Sequence, residues 1–235
     1  MNRGGAAETS PIFLPAVWAI VRKDLQIERH TRQTVSIMIM FSLVTVIMFN
    51  FALETNLGAV RDVATGLLWA TILLAGTLGL NRSLAIEREN ETFDAILIAP
   101  VNRNAIYIGK VISVTIFSLL LEAVLVIMFI VFFNKPFWRP PVLFVLALGT
   151  FGYIAAGILV TSMTIRARSR DVLLPVLLLP LSLPLVLPAS MAVAAFMFPI
   201  WPEWGEVQSA ISLVLIYDLL MVAVGFLTYH YVVES

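Results

Sequence analysis

The sequence predicts an all-α integral membrane protein with six transmembrane helices, an amino-terminal interfacial helix and a short helix in the largest loop. Three observations predict it. Of the 235 residues, 60% are hydrophobic and 13% charged, and mean hydropathy is +0.96, whereas water-soluble domains run near 45–50% apolar and about 25% charged. Six windows of roughly the 20 residues that a bilayer demands of a helix follow one another along the chain. The basic residues gather on one side of those windows. Fifteen Lys and Arg cancel fifteen Asp and Glu, so no net field attracts nucleic acid. With no cysteine, disulfides, iron–sulfur clusters, thiolate zinc sites and cysteine nucleophiles are excluded.

Residues 1–13 read as a disordered arm and 14–235 as one transmembrane domain. Leu14, Val17, Trp18, Val21 and Leu25 recur at helical spacing with Arg22, Lys23 and Arg29 on other faces. That pattern predicts a helix lying in the headgroup layer. The spans follow at Thr34–Leu53, Val63–Leu80, Val111–Phe133, Pro141–Met163, Val172–Ile200 and Ile211–Val232. The fifth window is long and holds Pro175, Pro180, Pro184 and Pro188; it is either one kinked helix or a span plus a re-entrant piece. Continuous apolar runs exclude a β-barrel, whose strands alternate. Glu8, Asp24 and Glu28 ahead of the first run argue against a cleaved signal peptide.

Orientation follows from Lys and Arg, which short loops retain on the cytoplasmic side. The amino-terminal arm holds Arg3, Arg22, Lys23, Arg29 and Arg32, the loop after span two Arg82, Arg88, Arg103 and Lys110, and the loop after span four Arg166, Arg168 and Arg170. Only Arg61, Lys135 and Arg139 fall opposite. Both termini are therefore expected in the cytoplasm. Trp138, Trp201 and Trp204 cluster on the outer side and Tyr107, Tyr229 and Tyr231 on the inner, as rings anchored at headgroup depth would.

Residues 81–110 form the longest loop. Span two is expected to continue as helix through Ser83–Glu91, where Glu87, Glu89 and Glu91 mix with Arg82 and Arg88. Thr92 suits an N-cap, Asp94 suits the first turn, Phe93, Ile96 and Leu97 form one apolar face, and Pro100 discourages continuation. Asn102 or Asn104 then restarts the chain into span three. A helix this short does not persist uncovered. Its cover is the interfacial helix, lipid, or the groove of a cytoplasmic partner.

These residues carry a resemblance. The acidic–basic patch, Thr92-Phe93, the short apolar helix, Ala99-Pro100 and Gly109-Lys110 before the next span look like the coupling region of six-span ABC-2-type export permeases. Within that class the chain most resembles the haem exporter B permeases of cytochrome c maturation, the CcmB family. Gly66-Leu67-Leu68-Trp69-Ala70, Leu80-Asn81-Arg82 and the proline-rich stretch from Leu173 to Leu185 after the basic loop Arg166–Asp171 carry the likeness further, which covers most of the chain from Val17 onward. Leu119-Leu120-Leu121-Glu122 departs from the family's wording in span three.

The resemblance implies ABC-2-type permease architecture and a non-catalytic membrane subunit beside a separate cytoplasmic ABC ATPase, coupled through Glu87, Glu89, Thr92, Phe93, Ile96, Leu97 and Pro100. It also implies a haem-handling subunit and a haem chaperone as partners, and a place in the bacterial inner membrane. Two copies of the permease, or one beside a related subunit, would complete the pathway. No phosphate-binding loop occurs, since Gly109-Lys110 lacks the earlier glycine and the following Ser or Thr; ATP would be bound by the partner. The histidines, His30 and His230, both fall near the inner side, so haem enters as cargo of the complex rather than as a bound cofactor. Met38, Met40, Met48 and Met128 read as packing residues.

Glu122, near the middle of span three, and Asp218, toward the outer end of span six, must face protein or water. They are either a proton or substrate pathway or a hydrogen-bonding glue between helices. Pro180 and Pro184, with Pro175 and Pro188, free backbone carbonyls and either line a pathway or kink the helix. Two other functions fit parts of the pattern: an ABC-2 permease exporting a lipid, polysaccharide or drug, and a proton-coupled secondary carrier using Glu122.

Overall fold

A computed structural model describes residues 13–53, 57–89, 102–164, 170–198 and 202–234. Among them the chain forms helices α1 (Phe13–Thr31), α2 (Gln33–Leu53), α3 (Leu57–Glu89), α4 (Arg103–Phe133), α5 (Pro140–Thr164), α6 (Arg170–Met197) and α7 (Trp204–Glu234). Six stretches are long and apolar enough to cross a membrane: Gln33–Leu53, Val63–Ser83, Arg103–Phe133, Pro140–Thr164, Val172–Met197 and Val207–Tyr229. An isolated helix satisfies its own backbone, which is why lipid admits this architecture.

The helix ends have local causes. Asn102 caps α4, its side chain accepting from the Asn104 N–H at 2.9 Å. At the far end Asn134 adopts a left-handed conformation (φ 49°, ψ 47°) and its N–H donates to the Ile130 carbonyl, a stop that asparagine tolerates better than most residues. Arg32, at φ 53°, separates α1 from α2. The Glu28 carboxylate accepts from the N–H groups of Thr34 at 3.3 Å and Val35 at 2.8 Å, so an acid from α1 caps α2 and complements its dipole.

α5 is the central helix, packed against α3, α4, α6 and α7. Its small residues permit this: the Trp69 ring lies on Gly149, Leu80 lies on Gly157, and Tyr153 of α5 rests on Gly76 of α3. α3 and α5 thus run side by side in one direction. Trp69, Tyr107, Tyr153, Phe129 and Phe137 are the largest fully buried side chains. Met40, Met48 and Phe51 on α2 and Leu219 and Leu227 on α7 are exposed, as lipid-facing apolar surface would be.

Several expectations are refined. α4 begins at Arg103, a full two turns before the apolar run at Val111. α6 is one continuous helix through all four prolines and ends at Met197. Tyr107 and Tyr229 are not surface anchors; both are buried, with ring centroids 5.4 Å apart, because the early start of α4 lays Tyr107 against Met221 and Gly225 of α7. Trp138 and Trp204 are exposed at the opposite end. The apolar stripe of α1 divides: Val17 and Val21 pack with Ala105 of α4, Leu25 is partly buried beside them, and Leu14 (75% exposed) and Trp18 (67%) remain outward.

Candidate functional site: two polar layers in the bundle

The first layer lies at the basic end, where α1 crosses α4. Backbones approach closely here because Gly109 of α4 sits against Ile20 and the Val17 carbonyl of α1. One residue on, the Lys110 ammonium meets Asp24 at 3.2 Å from Oδ1 and 3.0 Å from Oδ2. Lys23 Nζ also lies 3.0 Å from Asp24 Oδ1. The Lys110 and Asp24 side chains are 8% and 10% exposed, so the pair is nearly sealed from water. Such a pair gains little net stability over an apolar one, but removing one member of it is costly.

Beside this pair a cavity of about 20 Å³ is lined by Asp24, Ile27, Glu28, Thr34, Ser83, Ile86 and Phe117. Its lining mixes Asp24, Glu28, Thr34 and Ser83 with apolar side chains, and it is large enough for a single water. Arg82 at the end of α3 hydrogen-bonds to the Gln33 side chain at the start of α2. α1, the beginnings of α2 and α4 and the end of α3 are therefore joined by polar side chains around one point.

The second layer crosses the middle of the bundle. Glu122 of α4 is 5% exposed, and its Oε2 accepts from the Thr150 hydroxyl of α5 at 2.6 Å. Asp218 stands at the midpoint of the Val207–Tyr229 span, deeper than its expected place toward the outer end. It is 4% exposed; Oδ1 lies over the bare α-carbon of Gly152, and among the described residues neither carboxyl oxygen has a hydrogen-bond partner. Burying a polar group unpaired costs about 1–3 kcal/mol, and burying a charge unpaired far more. Nearby, the Tyr153 hydroxyl donates to the Leu73 carbonyl at 2.8 Å and lies 2.7 Å from the Thr77 hydroxyl. Both acids thus face protein, on two sides of α5.

The proline helix joins this layer through Tyr217, whose hydroxyl donates to the Leu181 carbonyl at 3.0 Å. That carbonyl adjoins the one at Pro180, which Pro184 deprives of its usual N–H partner. Pro180 and Pro184 sit in the middle of α6, at the depth of Tyr217. At the tryptophan end, the Arg139 guanidinium donates to the carbonyls of Phe196 at 2.7 Å and Phe198 at 2.6 Å. A cation here complements the carboxyl end of α6.

Of the coupling residues, Glu87 and Glu89 fall in the last turn of α3; Thr92, Phe93, Ile96, Leu97 and Pro100 lie outside the described residues. His30 is exposed, its Nδ1 2.8 Å from the Gln26 carbonyl one turn back. Among the described residues no group of three His, Cys, Asp or Glu stands close enough to hold a metal ion. Sequence reading missed Asp24 with Lys110, the Glu28 cap, and Thr150 and Gly152 as seats for the two acids. The spacing of Gly149, Gly152 and Gly157 in an apolar window is the signal that marks α5 as the close-packed helix.

A bundle of six helices long and apolar enough to cross a membrane, with buried acids at its midplane, has the architecture of a multi-pass membrane permease. Its sequence matches the CcmB protein family over residues 15–229, and the chain belongs to that family. Heme exporter protein B of Rhodobacter capsulatus is 27% identical to it over 169 residues, 71% of this chain and 77% of that relative.

Proposed function

We propose that this chain is the membrane subunit of an ATP-driven ABC complex serving haem export or the release of a haem-loaded chaperone in cytochrome c maturation. The family match across residues 15–229 carries the reading, and a relative named heme exporter protein B supports it. The chain lies in the bacterial inner membrane with its basic end and both termini in the cytoplasm. A separate ABC ATPase hydrolyses ATP; haem is cargo, and a haem-handling subunit and haem chaperone complete the assembly. A second permease copy, or a related subunit, supplies the other half of the pathway.

In this reading the ATPase grips residues 90–101 through Thr92, Phe93, Ile96, Leu97 and Pro100, with Glu87 and Glu89 at the rim. The segment's position supports this. It joins the end of α3 to the start of α4, so a load on it pulls on both. A photo-crosslinker at Phe93 or Ile96 in native membranes is expected to capture the ATPase. Replacing Phe93, Ile96 and Leu97 together by glycine is expected to abolish cytochrome c assembly and leave the six-span chain in the membrane. Normal assembly with those glycines, or full activity of the chain with no ATPase attached, would refute the proposal.

A further inference from the structure

We propose that Asp218 is a proton-binding site at the seam between α5 and α7: it holds a proton while the seam is closed and releases it when the seam opens to water. Both carboxyl oxygens are buried without a partner among the described residues, and Oδ1 occupies the space that a side chain at Gly152 would fill.

The groups around it are committed elsewhere. α5, from Pro140 to Thr164, contains no charged residue, and neither does α6 between Val172 and Met197. From α5, Tyr153 is bonded to Leu73 and Thr77. From α4, Tyr107 donates to the carbonyls of Ala155 and Met221, Glu122 holds Thr150, and Lys110 pairs with Asp24. On α7 itself Tyr217 donates to Leu181, Tyr229 packs at a tilt against Tyr107, and the helix carries no Lys or Arg. Among the described residues no cation stands beside Asp218 to compensate its ionised form, so the closed arrangement favours the neutral acid. The O–H bond forms with a proton taken from water and breaks by returning it there. Opening the seam hydrates the carboxyl and favours the anion; by linkage, removing the proton favours opening.

Proton binding at Asp218 is a property of the bundle alone and requires no ATPase. The test is infrared spectroscopy of the full chain in lipid nanodiscs at pH 7, with aspartate carbon-13 labelled at its carboxyl. The expected result is a protonated carboxylic acid stretch that Asp218→Asn removes and that shifts slowly on transfer to heavy water, as a sealed site requires. Absence of that stretch from the wild type overturns the proposal without recourse to any variant. So does a stretch that survives Asp218→Asn, or one that shifts at once in heavy water.

Discussion

Neutralising Asp24 should destabilise the chain more than neutralising Lys110. In Asp24→Asn, Lys110 (8% exposed) and Lys23 keep their ammonium groups around a position that no longer carries charge. Removing one partner of a buried ion pair costs about 3–5 kcal/mol. At about 2–4 °C per kcal/mol for a chain of this size, the apparent Tm in nanodiscs should fall by about 6–20 °C. Lys110→Met leaves Asp24 with Lys23 at 3.0 Å, so its loss should be about half as large. The double variant Asp24→Asn/Lys110→Met removes the Asp24–Lys110 pair but leaves the buried Lys23 ammonium without its acid, so it should recover only part of the stability. Differential scanning fluorimetry of the four proteins completes the cycle. A fall below about 2 °C for Asp24→Asn, or a double variant no better than it, would show that the pair is not sealed as described.

The remaining predictions use other contacts. Glu28→Ala should cost about 1–2 kcal/mol and raise hydrogen exchange at the amides of Thr34 and Val35, which it caps; unchanged protection there refutes the cap. Gly152→Ala should destabilise by about 1–3 kcal/mol through overpacking, and Asp218→Ala in the same chain should relieve it, because the new Cβ meets Asp218 Oδ1. Arg139→Ala should loosen the end of α6 at a cost of about 1.5–3 kcal/mol, read as faster cleavage near Phe198 by a protease added on that side. Glu122→Gln should keep its bond to Thr150 and the fold; loss of cytochrome c assembly in that stable variant would mark a proton pathway, and full assembly would mark helix glue.

The spans were legible because lipid imposes a length and a composition that few other structures share. The apolar windows in α2, α5 and α6 match both ends of their helices within three residues, whereas α3, α4 and α7 run six to nine residues beyond theirs at one end or both. In α4, Arg103, Asn104 and Lys110 lower the hydropathy of helix that protrudes beyond the apolar core. The Asn102 cap was readable there because capping is local. Tyr107 and Tyr229 were misread for the opposite reason: their position near the ends of apolar windows suits an anchor, and only the contact of α4 with α7 reveals them as core. The acids were visible as anomalies, but their seats were not, since Thr150 and Gly152 belong to another helix and nothing in a linear sequence pairs them with Glu122 and Asp218.

α4 runs unbroken from Arg103 to Phe133; at 1.5 Å per residue its 31 residues reach about 46 Å, well beyond a hydrocarbon core of about 30 Å. It contains no proline and no interior break at which a displacement could be absorbed. About 18 Å of rigid rod therefore connects Lys110 to Glu122. Whatever tilts its protruding foot must also swing the carboxylate at the bilayer's centre, and the charged brace from α1 fixes the point about which it pivots.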